Sequence, residues 1–277
     1  MKKILLILTI SLNWAIGIQG LDLPNTAQSL ALSNTGIASP LNSSINSSYN
    51  PDNNFVSFSS NYWFEGVSGK SILNKFGRHE ISLNTFDSDD LELWGENPGS
   101  KPLGKFGLQF YSLSYKYLLS QSSKQNLGIK VKSVYSKLYT EYIYGLVFDI
   151  GIEQNINKYF NLGLSIKNIG HIESDLNISN LPTEYGVGLS INYEPLNIIL
   201  LSDFLYNDIK KEIFKIGIIT NFNFLNIYSS FNKFSTNQYI SAGFQMRYKN
   251  ISCSYGILFQ EVKTLGIPQS FQISLYY

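Results

Sequence analysis

Apolar and polar residues alternate along most of this chain with a period of two. From Tyr142 one face reads Tyr142, Tyr144, Leu146, Phe148, Ile150 and Ile152, and the other includes Gly145, Asp149, Gly151 and Glu153. Phe160, Leu162, Leu164 and Ile166 oppose Asn161, Gly163, Ser165 and Lys167, and the runs from Tyr185 and Ile251 repeat the scheme. Successive side chains of a strand point to opposite faces, so each segment carries one greasy face and one small or polar face. The pattern predicts fourteen strands, at 54–65, 68–75, 78–86, 105–119, 126–139, 141–154, 159–168, 184–194, 196–206, 213–223, 224–232, 238–248, 250–260 and 269–277. The segment through Ile72 and Leu73 alternates least clearly, and without it the next even count is twelve.

A soluble sandwich shares this period, so the period alone does not choose between sandwich and membrane barrel. The character of the two faces does. Tyr, Phe, Ile and Leu suit a lipid-facing side, while Gly, Ser, Asn and Gln suit a lumen, with Tyr and Trp near strand ends as interfacial girdles. The final run, Phe271 to Tyr277, alternates up to its last residues, which calls for a pairing partner such as the first strand of a closed barrel. Connections at Lys249-Asn250, Phe222 to Leu225, Glu194-Pro195, Asn155 to Lys158 and Ser120 to Gln125 are short and fall on one side. The two longest, Asp87 to Gly104 and Ile169 to Thr183, fall on the other, as expected of periplasmic turns and outer loops.

Residues 1–20 read as a signal peptide: Lys2 and Lys3, an apolar run to Ile18, and small residues Ala15, Gly17 and Gly20 near a cleavage point. Residues 21–53 do not alternate and are rich in Ser, Asn and small apolar residues, so they read as a periplasmic or hatch segment folded into the lumen or across its mouth; residues 54–277 form the barrel. Loss of Lys2 and Lys3 leaves 19 basic residues against 20 acidic ones, a balance that offers no field for nucleic acid. Tyr and Phe supply 37 residues while charged residues make up only 15%, a membrane-barrel composition. The one cysteine, Cys253, falls on the apolar side of a strand and reads as a small hydrophobe.

Short motifs occur in an order that resembles the PorV/PorQ family of outer-membrane proteins. They are Ser29 to Ala38 followed by Ser48-Tyr49-Asn50-Pro51, Phe58 to Trp63, Leu127 to Lys132, Phe148-Asp149-Ile150-Gly151, Lys167-Asn168-Ile169-Gly170 and the terminal Phe271 to Leu275. Asp52 stands where the family usually has alanine after Asn50-Pro51. The resemblance implies a 14-stranded barrel related to the FadL fatty-acid transporter type, with an N-terminal hatch bearing Asn50 and Pro51. It also implies a role in type IX protein secretion or surface attachment, with secreted cargo domains or other secretion proteins as partners.

Catalytic chemistry finds little footing. His79 and His171 are the only histidines; they are expected at opposite ends of the barrel, His171 in an outer loop, without a nucleophile at a recognisable spacing. No cofactor is implied. The carboxylates Asp87, Asp89, Asp90, Glu92 and Glu96 lack the glycine placement of a calcium loop and read as a solvated surface, so no metal is assigned. Leu91, Leu93 and Trp94 are apolar residues in the same outer loop, which makes them candidate partner contacts or a flap over the barrel mouth. Asp149, Glu153 and Lys167, with Lys215 and Arg247 in the same register, place charge on the lumenal face, where they should pair with one another or with the hatch. Asp149 is the expected hatch anchor. Two functional readings follow: an interaction barrel of a secretion or attachment machine, or a FadL-like channel for hydrophobic small molecules. The first is favoured here because no lumenal face reads as greasy enough to conduct an apolar chain.

Overall fold

A computed structural model of the chain describes residues 20–64, 66–88, 91–93, 104–138, 141–174, 181–234, 237–260 and 266–277. The predicted signal peptide therefore lies outside the described residues, apart from Gly20. The strands are β1 (Phe55–Phe64), β2 (Val67–Phe76), β3 (His79–Ser88), β4 (Leu91–Leu93), β5 (Gly104–Phe106), β6 (Leu108–Gln121), β7 (Gln125–Leu138) and β8 (Glu141–Asn155). They continue as β9 (Phe160–Ser174), β10 (Glu184–Tyr193), β11 (Ile198–Asn207), β12 (Lys211–Asn221), β13 (Leu225–Phe234), β14 (Asn237–Tyr248), β15 (Ile251–Gln260) and β16 (Gln269–Tyr276). Among the described residues fourteen of these close an antiparallel barrel, each strand pairing its chain neighbours, with β3 beside β6 and β16 beside β1. Closure runs from Phe55 opposite Tyr276 to Tyr62 opposite Gln269, so neither terminal strand presents a free edge. The segment through Ile72 and Leu73 is a full wall strand, ten residues long and paired on both sides.

Two predicted elements change. The strand expected at 105–119 is two pieces: Gly104–Phe106 pairs with Leu91–Leu93 as a separate hairpin, and the wall strand begins at Leu108 after a break at Gly107. β9 runs on to Ser174 instead of ending at 168, because a bulge between Phe148 and Ile150 of β8 absorbs Asn168 in a left-handed conformation (φ 59°) and pairing resumes beyond it. His171 accordingly sits in β9 opposite Leu146 and not in a loop.

The outward face is a belt of large apolar residues. Leu113, Leu146, Phe148, Leu162, Leu164, Val187, Phe204, Ile216, Ile240 and Phe271 are all exposed, each between inward neighbours that are buried or half-buried. In water such a surface would aggregate; against acyl chains it is matched. Among the described residues the hydrogen-bond ladder closes around the wall, broken at bulges between Tyr62 and Phe64, Leu118 and Ser120, and Phe148 and Ile150, and the molecule is a bilayer-spanning barrel of the outer-membrane type.

Residues 20–54 run inside this wall. A 3-10 turn at Gly20–Asp22 lies beside Phe110 at the outer end, and α1 (Ala27–Ala31) follows, capped by Thr26 in a reciprocal box with Ser29. The chain descends to Asn54, whose carbonyl accepts from Tyr277 N–H where β1 begins. Room for it comes from glycines that face each other across neighbouring strands: Gly128 opposite Gly151, Gly163 opposite Gly188, and Gly243 opposite Gly256. A Cβ at Gly128 would lie 1.9 Å from the Ser47 carbonyl oxygen, and one at Gly151 would lie 1.8 Å from Asn46 Oδ1. The other two pairs receive Ile37-Ala38 and α1 in the same way. Glycine weakens a strand, so three facing pairs make sense only where another backbone approaches closely.

Candidate functional site

Above this segment, in the outer half of the lumen, lies a cavity of about 650 Å³. Its upper wall is apolar: Trp63, Phe110 and Leu258 from the barrel, with Leu21 and Leu23 from the N-terminal segment, Tyr239 packed against them and Phe234 stacked on Tyr239. Trp63, Phe86 and Phe110 form a tilted stack with ring centroids 6.0 Å apart at each step. These side chains occupy inward positions near the outer ends of their strands. Trp63 thus belongs to the lumen and not to an interfacial girdle, and the expectation of a lumen without a greasy face is wrong for its outer third. Alternation identifies a face as inward, but the composition of the strand middles, where Gly and Ser make room for the segment, does not extend to the strand ends.

Below the collar the cavity meets charge. Lys130, Lys132, Lys167 and Lys215 line its floor with Asp149 and Glu184. Each cation has a wall or segment partner. Lys132 pairs with Asp149 at 2.6 Å, Lys167 with Glu184 at 2.5 Å, and Lys116 with Glu80 at 3.4 Å, all on adjacent strands and almost wholly buried. Lys130 donates to Ser43 Oγ (3.0 Å), and the Ser43 hydroxyl in turn donates to Glu80. Lys215, opposite Asp203 on β11, donates to the carbonyls of Ser33 and Asn34, both at 3.3 Å. Buried charges are tolerable only when paired and hydrogen-bonded, and here the segment's backbone supplies partners the wall lacks.

Asp203 is the strongest of these links. Its carboxylate accepts from the Gly36 N–H at 2.6 Å and from the Ile37 N–H at 3.2 and 3.3 Å. The expected anchor, Asp149, instead accepts from the Asn168 N–H at 2.8 Å, the amide that the β8–β9 bulge removes from the ladder, and from Lys132. Asp149 holds the wall's irregularity, and Asp203 holds the segment. Asp22 acts at the outer end, accepting from Asn168 Nδ2 and Asn207 Nδ2 and pairing with Lys210.

The remaining predicted residues are dispersed. Glu153 accepts from Asn126 Nδ2 at 3.3 Å near the periplasmic mouth, so Asp149, Glu153 and Lys167 each pair with a wall neighbour and not with one another. Pro51 receives the Lys75 ammonium on its carbonyl at 2.7 Å, and Asn50 precedes it, half-buried. Arg247 lies over the Tyr276 ring, 3.9 Å from its centroid. His79 shares a 2.7 Å hydrogen bond with the Tyr115 hydroxyl. Cys253 is half-buried on β15 opposite Ile273. Leu91 and Leu93 lie on β4, while Trp94, Asp89, Asp90 and Glu96 lie outside the described residues. Glu80, Lys116, Lys130, Lys132, Glu184 and Asp203 were not singled out from the sequence, although parity from Gly128 puts Lys130 and Lys132 on the inward face.

Solved structures share this architecture. The Ralstonia pickettii toluene transporter TbuX superposes with a TM-score of 0.60 at 11% identity, over 93% of this chain and 98% of that one. The Pseudomonas putida toluene transporter TodX gives 0.62 at 12% identity over 92% and 97%, and a Pseudomonas aeruginosa FadL homologue gives 0.57 at 9% over 92% and 98%. The chain shares the fold of these three proteins. No protein-family model matches the sequence, PorV/PorQ included, and no curated protein sequence matches it. At these identities the FadL-type likeness concerns the fold alone.

Proposed function

We propose that this chain is a non-enzymatic outer-membrane channel that admits hydrophobic small molecules from the outer surface, with residues 21–53 as a plug across the periplasmic half of its lumen. The observation that carries the reading is the apolar upper wall, Trp63, Phe110, Leu258, Leu21 and Leu23, of a cavity of about 650 Å³, with Phe86 packed behind Trp63 and Phe110. Pockets for small apolar ligands are concave, mostly apolar and furnished with a few polar groups, as this one is. The FadL-type fold is consistent with it, since TbuX and TodX are toluene transporters. The secretion role implied by the PorV/PorQ resemblance ranks below it, because that preference rested on a lumen without a greasy face.

Passage requires the segment to shift, and its contacts suggest how to prevent that. Ser33 Oγ donates to Ser241 Oγ at 2.9 Å, so cysteines at both positions can be joined by a disulfide. Cells producing the chain are expected to accumulate toluene or a longer alkyl probe faster than cells without it. In a Cys253→Ser background, oxidised S33C/S241C is expected to abolish the gain and reductant to restore it. Equal accumulation with and without the chain would refute the channel reading.

A further inference from the structure

The collar contains a hydrogen-bond donor that a site for pure hydrocarbon does not need. Trp63 is 5% exposed, lines the cavity, and its Nε1–H has no partner among the described residues. In the cluster around it Phe86, Phe110, Leu258 and Val67 cannot accept through a side chain, and the Tyr239 hydroxyl, which can, makes no bond to it. A buried indole usually finds an acceptor, and leaving the donor unpaired is costly, whereas Phe would fill the same stack without that cost. Two acceptors lining the same cavity are also without donors: Asn25 Oδ1 and Asn34 Oδ1. Asn25 is held close to Trp63, because Asn61, two residues earlier on the same inward face of β1, donates its Nδ2 to the Asn25 carbonyl at 3.2 Å. The Asn25 amide nitrogen is committed to Asn84 Oδ1 at 3.0 Å, which leaves its oxygen as the free end.

We propose that the cavity selects neutral apolar molecules bearing a hydroxyl group, alicyclic or phenolic alcohols, over the corresponding hydrocarbons. The hydroxyl oxygen accepts from Trp63 Nε1–H and its proton goes to an asparagine Oδ1, while the ring packs in the collar. The lysines beneath belong to the charged floor of the cavity, where each is bonded to a carboxylate, a hydroxyl or a backbone carbonyl, whereas the unpaired indole donor lies in the apolar upper wall that receives the ring. The inference rests on the channel reading and narrows its substrate class.

Cyclohexanol and methylcyclohexane differ by OH against CH3 and test it directly. Their binding to the detergent-solubilised barrel is measured by calorimetry for the wild type and for Trp63→Phe, and the ratio of the two affinities is compared between proteins, which cancels micelle partitioning. The ratio should fall by about five- to tenfold in W63F, with methylcyclohexane binding unchanged. An unchanged ratio, or an equal loss for both ligands, would overturn the proposal and leave the channel reading standing; failure of both ligands to bind the wild type would overturn both. Should W63F not fold, Trp94→Phe protein produced without residues 1–20, and so without Trp14, reports on Trp63 fluorescence: a red shift with cyclohexanol but not methylcyclohexane is expected, and identical responses would sink the idea.

Discussion

Asp203 and Gly36 are 167 residues apart in the chain and 2.6 Å apart in space, carboxylate oxygen to amide nitrogen. The carboxylate also takes the Ile37 amide, and across the strand pair it faces Lys215, which holds the carbonyls just before it, at Ser33 and Asn34. One acidic and one basic wall residue therefore hold Ser33, Asn34, Gly36 and Ile37 of the N-terminal segment by their backbone groups.

Replacing Asp203 with alanine removes the acceptor of two backbone amides, Gly36 and Ile37, the second shared between both carboxylate oxygens. Bonds to a charged group contribute about 1.5–3 kcal/mol each, so the Gly36 and Ile37 amides should exchange at least about tenfold faster while the β-ladder stays protected. Hydrogen-exchange mass spectrometry of segment peptides reads this. Unchanged protection over residues 33–38 would show that the clamp is held from elsewhere. Asp149→Ala should instead loosen the β8–β9 bulge around Asn168.

Gly128→Ala puts a methyl where the Ser47 carbonyl now lies, 1.9 Å from the ideal Cβ position. Backbone must move, at a cost of about 1–3 kcal/mol or more. Limited proteolysis should open residues 44–50 in G128A, with the barrel still migrating as a folded species before heating. Gly104, which has nothing within 4 Å of a Cβ position, supplies the control: G104A should match the parent.

Lys116 pairs with Glu80 in the lumen and also donates to the Tyr49 carbonyl at 2.5 Å. Lys116→Met strands the Glu80 charge and should destabilise the barrel by about 3–5 kcal/mol, measured by urea unfolding from lipid vesicles. Removing both charges together, as E80L/K116M, should recover most of that loss. A double variant as unstable as K116M would mean that packing, and not charge, is responsible.

On the outer face, Leu164 of β9 lies between Ile152 and Val187 in mid-wall and is 52% exposed. Arginine there should cost about 2–4 kcal/mol in vesicles, against about 0–1 kcal/mol for Tyr248→Arg at the turn beside Lys249. Equal costs at the two depths would contradict the assigned membrane position.

Much of the wall was legible. The period of two, the lipid character of faces such as Leu162, Leu164 and Ile166, and the separation of short turns from long connections predicted fourteen strands, and fourteen close the barrel. The misplaced features were those that local pattern cannot encode. Gly107 breaks a run that alternates on both sides of it, and Asn168 bulges out of a strand whose alternation stops there without the strand ending.

The order of side chains along each strand decided which residues turn inward, because parity in a pleated strand is a local property that every neighbour inherits. Sequence therefore sufficed for a closed wall with a greasy exterior and small inward residues. Which inward charges meet, and what they hold, depends on strand register and on a backbone returning from far away in the chain. That is why Asp203 and not Asp149 takes the segment, why Gly128 stands opposite Gly151, and why Trp63 looks into a cavity: electrostatic and steric contacts of this kind exist only once the barrel has closed around its own N-terminal segment.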